Sequence, residues 1–182
     1  MDPASAFSFD MSYCGFPPTL ETLWGRWNLD PVLLVALILA AIGGWMMLRD
    51  AGRPRRMAFA AAWLIVVVLF VSPICALSVA LFSARVSHHL VLTMVVAPLL
   101  ALALPLRMGR QVRLLPALVV STLVLWVWHV PDFYSAAFMH PATYWLMQAS
   151  LLSAFTWLWL GLLHNTVPMA AGAVALTSAV QM

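Results

Sequence analysis

The 182 residues are 64% hydrophobic and only 8% charged, with several apolar runs long enough to cross a bilayer, so a soluble core is excluded. Nine arginines and no lysine supply the basic charge in short clusters rather than along an amphipathic face, which argues against nucleic-acid binding. The net charge of +3 therefore reports mainly on topology.

The start, "MDPASAFSFD", lacks the basic region of a cleaved signal peptide, so the N-terminus is expected to be retained. Residues 1–30 read as a polar, loosely packed tail with acids at Asp2, Asp10, Glu21 and Asp30 and the turn-rich "CGFPP". Trp24 and Trp27 stand just before the first apolar run, at the depth where indoles favour headgroups. Apolar windows predict spans near 31–48, 57–81, 86–106, 114–130 and 143–163, with a sixth run over 168–182. About 15 residues in that last run reach only about 22 Å, short of a hydrocarbon core of about 30 Å, so it is expected to be incomplete. Pro73 and Pro98 fall inside predicted spans and should kink them. The fold class that follows is an all-α polytopic transmembrane bundle of about five or six spans over 31–182.

Arginine asymmetry sets the expected orientation. Arg49, Arg53, Arg55 and Arg56 lie between spans one and two, and Arg107, Arg110 and Arg113 between spans three and four, which makes those loops cytoplasmic. The tail, the turn around 83–87 and the loop 131–142 then face the other side, the periplasm in a bacterium. His88, His89, His129 and His140 gather at that face, with His164 at the opposite one.

Ionisable residues at membrane depth are functional candidates by default. Arg85 lies three and four residues before His88 and His89, so all three are helix neighbours. His89, with His88, could meet His129 and offer imidazole nitrogens to copper; alternatively these rings cap helix ends or snorkel to headgroups. Arg85 would repel a cation and favours an anion: Asp132 on the same side, a lipid headgroup or a haem propionate. Cys14 and Cys75 lie far apart without CxxC spacing, so neither a disulfide framework nor a zinc site follows, but Cys75 could bring a soft thiolate to the histidines. Met94 and Met139 are thioether candidates against a default of packing. Gln148 and Ser150 are neutral groups suited to bonds between helices. No phosphate loop, nucleophile elbow or HExxH signature is present, so catalysis has no support.

Taken in order, "WNLDP", "SPICALSVALFSARVSHHLVLTMVVAPLL", "LWVWHVPDFYSAA" and "YWLMQASLL" resemble the CtaG family of bacterial cytochrome c oxidase assembly factors over about residues 27–182. In the family's H-x-x-Q-H element the places fall on Arg85, His88 and His89, and only the last histidine is kept. The W-x-W-H-x-P element survives in Trp126, Trp128, His129 and Pro131. Gln148 stands where a fifth-span histidine is common, Cys75 where an acid often follows Ser-Pro, and the family's later Asp-Gln motif would lie beyond Met182.

The resemblance implies a non-catalytic factor of the bacterial inner membrane that helps mature a haem–copper oxidase. Oxidase subunits or copper chaperones are its expected partners. The expected metal site joins His89, His129, His88 and Cys75 to copper, with Arg85, Asp132, Gln148 and His140 as supporting polar groups. Two rival expectations are a haem-binding electron-transfer protein with His89 and His129 as axial ligands, and a structural membrane subunit.

Overall fold

Asp30 and Pro31 begin the first long helix. The Asp30 carboxylate accepts the Val32 N–H at 2.9 Å as an N-cap does, and Pro31 takes a first-turn position whose N–H would have no helical partner anyway. The computed structural model describes residues 12–105 and 112–164. Among these the long elements are α1 (Pro31–Leu48), α2 (Arg53–Val71), α3 (Ile74–Ala80), α4 (Phe82–Val91), a π turn (Leu92–Val96), α5 (Ala97–Ala103), α6 (Leu114–His129), α7 (Pro131–Met139) and α8 (Pro141–His164), with no strand. The all-α expectation holds.

Four stretches are long and apolar enough to cross a membrane: Pro31–Leu48, Arg53–Val71, Phe82–Ala103 and Pro141–Leu163. A fifth is reached if α6 and α7, bent by 73° at Val130, count together. This is slightly fewer than the expected five or six; the sixth run, 168–182, lies outside the described residues.

One proline expectation needs correction. Pro73 does not kink one continuous span over 57–81. α2 ends at Val71, Ser72 is extended, and a separate short helix starts at Ile74. At Pro98 the helix is not interrupted: Pro98 lies in the first turn of α5, directly after the π turn, within a helical stretch from Phe82 to Ala103. The predicted loop 131–142 is likewise mostly helix, since Pro131 serves as the first-turn residue of α7 after ending α6.

The helices meet through small residues. Ala62, Ala97, Ala101, Ala117 and Ser121 are fully buried, which lets α2, α5, α6 and the long α8 approach closely. Indole and guanidinium donors add bonds to backbone oxygens: Trp63 Nε1 to Leu37 O at 3.1 Å, Trp159 Nε1 to Thr93 O at 3.0 Å, and Arg55 to Ala103 O at 2.8 and 2.9 Å. The last of these closes the C-terminus of α5 against the arginine-rich start of α2. α1 packs more lightly, with Val32, Val35, Ile38, Leu39 and Ile42 exposed as lipid-facing side chains are. It comes close to α2 at Gly44, where a Cβ would lie 2.0 Å from the Phe59 ring.

Residues 12–30 are not a loose tail. Asn28 donates its backbone N–H to Val71 O at 2.9 Å and its side-chain amide to Phe70 O at 3.2 Å, satisfying carbonyls freed at the end of α2. Tyr13 donates to Asp30 at 2.7 Å and stacks on Tyr144 at 5.0 Å between centroids. Gly15, at φ 83°, turns the chain so that Cys14 meets Cys75 in a disulfide.

Asp30→Ala removes a cap and is expected to cost about 0.5–2 kcal/mol, read as a lower unfolding midpoint in detergent, whereas Asp30→Asn retains an acceptor and costs less. Burial and the bond to Asp30 push the Tyr13 phenol up to about 12, while that bond and the Val32 N–H hold the Asp30 carboxyl below its ordinary value. The Tyr13 contribution is intact below its ordinary pKa of 10.0 and is lost as pH rises through about 12; the Asp30 contribution is present above 3.8 and fades as pH falls through the lowered value. Tyr13→Phe should therefore flatten the alkaline loss of stability, checked by unfolding midpoints between those two limits.

Candidate functional site

The break at Ser72 and Pro73 sets α3 at the same end of the bundle as the first turns of α4. A second break at Leu81, again extended, then reverses the chain from α3 into α4. α3 is so short that its last carbonyls have no helical partners. Arg85 supplies them, donating Nε–H to Ser78 O at 3.0 Å and a terminal N–H to Val79 O at 3.4 Å. Its other terminal nitrogen donates to the Tyr134 hydroxyl, and the guanidinium stands over the Phe138 ring at 4.0 Å. Arg85 thus fastens α3 to α4 and both to α7. The expected pairing with Asp132 does not form: Asp132 is exposed in the first turn of α7, and Arg49–Asp50 is the only ion pair among the described residues.

Held in this way, His88 and His89 point apart by about 100°, the helical angle between neighbours, with ring centroids 6.1 Å apart. His88 turns inward and is 3% exposed, its ring edge-on to Phe70 at 5.0 Å. Neither ring nitrogen has a hydrogen-bond partner. Gln148 of α8, 4% exposed, faces the same small cavity of about 30 Å³, and its Oε1 is also without a partner. Arg85, Cys14 and Tyr144 complete the polar wall of this first chamber.

His89 is half-buried and borders both that chamber and a second one of about 210 Å³ between α4, α6 and α8. His129 and Met94 line the second chamber with it. His129 closes α6, and its Nδ1 lies 2.7 Å from Leu125 O. A carbonyl only accepts, so Nδ1 carries a proton and Nε2 is the ring nitrogen left for another partner. Trp128, beside it, anchors α6 to α8 by donating to Ser150 Oγ at 2.8 Å.

The expected single ligand set does not assemble. Among the described residues no group of three or more His, Cys, Asp or Glu side chains is placed to hold a metal ion. One reason is helical: the adjacent rings diverge, so His88 borders only the first chamber while His89 borders both and meets His129 at the second. The other is covalent. Cys75 is bonded to Cys14 and offers no free thiolate, which corrects the expectation of a soft ligand there and settles a pairing that the spacing had left open. His140 is exposed at the start of α8 and lines neither chamber. Tyr134 and Phe138, which line the first chamber and hold Arg85, were not foreseen. The spacing of Tyr134 and Phe138, one helical turn apart, was the signal that could have found the last two holders of Arg85.

These features define a class: a polytopic helical membrane protein with two largely apolar chambers that histidines border, the smaller one holding buried polar groups without partners. The family follows from comparison of the chain itself. The model of the cytochrome c oxidase caa3 assembly factor family (Caa3_CtaG) matches residues 39–182, and the chain belongs to that family. No curated protein and no solved structure matches it.

A buried imidazole with both nitrogens unpartnered forfeits solvation without return. His88→Phe, which keeps a ring against Phe70, is therefore expected to leave the unfolding midpoint of the oxidised protein unchanged or raise it, measured in detergent by thermal unfolding.

Proposed function

We propose that this chain is a non-catalytic assembly factor that holds copper(I) in the second chamber and passes it to a maturing haem–copper oxidase, or steadies an intermediate that is receiving it. One observation carries this reading: His89 and His129, from two different helices, line the same chamber as the Met94 thioether. Two imidazoles and a thioether form a donor set of the kind copper(I) favours. The His129 tautomer supports it, because the bond from Nδ1 to Leu125 O orients the ring and leaves Nε2 as the donor atom. Arg85 does not oppose it strongly, since its guanidinium is turned to the carbonyls of α3 and the rings of α7. The cargo size favours an ion over haem: about 210 Å³ is below the range of roughly 300–1,000 Å³ typical of pockets that enclose larger ligands.

The family gives the client class, a cytochrome c oxidase; oxidase subunits or copper chaperones are the partners we infer. We place the chain in the bacterial inner membrane with the chambers and the N-terminal segment on the periplasmic side. Two features support that orientation. Disulfides persist in oxidising compartments, and Cys14–Cys75 is at the chamber end. Arg49, just after α1, and Arg53, Arg55 and Arg56, in the first turn of α2, collect at the other end.

Purified protein loaded anaerobically with copper(I) should retain copper, and the His89→Ala, His129→Ala double variant should lose it, with Met94→Ala weakening retention by roughly tenfold. Equal copper in wild type and the double variant would overturn the ligand assignment. Oxidase content in cells carrying only the double variant tests the assembly role separately.

A further inference from the structure

Residues 12–30 fold back on themselves as well as on the bundle, and a cleft of about 320 Å³ lies between residues 13–16 and 25–28. Arg26 is the one charged residue that lines it, and Arg26 lines neither chamber. One terminal nitrogen of its half-buried side chain donates to Phe16 O at 2.9 Å, which fixes the guanidinium from one limb of the segment to the other. A guanidinium presents five N–H donors in a planar fork, and among the described residues no carboxylate pairs with this one. The two acids within residues 12–30 are placed elsewhere. Asp30 caps α1 and accepts from Tyr13, and the exposed Glu21 does not line the cleft. Space is kept beside the cation by two glycines: Gly15 stands against it, and nothing lies within 4 Å of where a Cβ of Gly25 would be.

Around the cleft the segment presents apolar and aromatic groups outward. Phe16, Leu20, Trp24, Trp27 and Leu29 are each more than half exposed. The Trp27 indole is held in place by donating to Trp24 O at 3.0 Å. Both indoles directly precede a helix long and apolar enough to cross a membrane, and indoles in that position favour the headgroup level of a bilayer. A cation without a counter-charge, at that depth and beside exposed leucines, faces the phosphates of lipids rather than open water.

We propose that this cleft is a binding site for the headgroup of an anionic phospholipid, with Arg26 donating to its phosphodiester oxygens. Guanidinium and phosphate are matched in geometry as well as in charge. Phe16, Trp24 and Trp27 then lie beside the glycerol and upper methylenes of the same lipid, where amphipathic rings are at home. The site selects net charge: a zwitterionic headgroup brings an ammonium that offsets its own phosphate, whereas phosphatidylglycerol does not. Occupancy ties residues 13–16 to residues 25–28 across one ligand. It is thus a second clamp, besides Cys14–Cys75, on the segment whose Ser12 and Cys14 form part of the wall of the smaller chamber.

The site shares no residue with the His89, His129 and Met94 set, so it stands or falls apart from copper. The measurement is hydrogen–deuterium exchange of residues 12–30 in the full chain, held in nanodiscs of phosphatidylglycerol or of phosphatidylcholine. Reading this one segment separates Arg26 from the arginines around the α1–α2 turn. Wild type should exchange about fivefold more slowly in phosphatidylglycerol, the effect of one arginine at a charged bilayer surface. Arg26→Gln should lose most of that slowing, Arg26→Lys should keep part of it, and Arg49→Gln should keep it all. Equal exchange of wild type in the two lipids, a comparison that needs no variant to fold, overturns the proposal. Slowing that Arg26→Gln retains in full reports only the field of the bilayer and overturns it too. Inorganic phosphate added to the phosphatidylcholine discs should change nothing; the same protection from phosphate alone would make the ligand a free anion and refute the lipid assignment.

Discussion

The polar end of this bundle depends on one missing hydrogen. Pro73 has no N–H to continue the helix, so α2 stops at Val71 and leaves carbonyls that must find other donors inside a protein surrounded by lipid. Asn28 provides them, and in doing so pulls the segment before α1 onto the bundle. The short helix after the break is then near enough to that segment for Cys14 to reach Cys75. At its other end the same helix exposes the carbonyls that capture Arg85, and Arg85 fixes the start of α4. The two histidines are aimed by a sequence of backbone obligations, each created by the end of the preceding helix.

Much of the scaffold was legible because lipid imposes a severe rule: an apolar run of sufficient length must satisfy its own backbone, and helices do so. The windows at 31–48 and 114–130 match α1 and α6 to within a residue or so. Legibility failed where one residue type admits two outcomes. Proline can follow the end of a helix, start the next or sit within a continuous stretch, and Pro73, Pro131 and Pro98 do these three different things. Only the neighbouring groups decide: a π turn for Pro98, Ser72 and Asn28 for Pro73, a new first turn for Pro131.

The candidate site was legible in membership and illegible in grouping. His88, His89, His129 and Gln148 all line a chamber, as ionisable and polar residues near a membrane face are expected to. Sequence spacing shows that His88 and His89 diverge on a helix, but not that His88 borders only the smaller chamber while His89 borders both. Cys14 could not be paired with Cys75 from spacing, because the pairing depends on how residues 12–30 fold back, which in turn depends on the capping by Asn28. The polar letters of "WNLDP" are part of this machinery: Asn28 closes one helix and Asp30 opens another.

The π turn at Leu92–Val96 gives the third long span a sensitivity to length as well as to composition. A π turn holds one residue more than an α turn over the same advance, and it leaves the Thr93 carbonyl to the Trp159 indole. Losing a single residue there would restore α geometry and rotate everything before it by about 100° relative to α5. The imidazole now walled in against Phe70 would swing away from its chamber while every side chain kept its identity. Which chamber each histidine serves is therefore set partly by a count of residues several positions downstream.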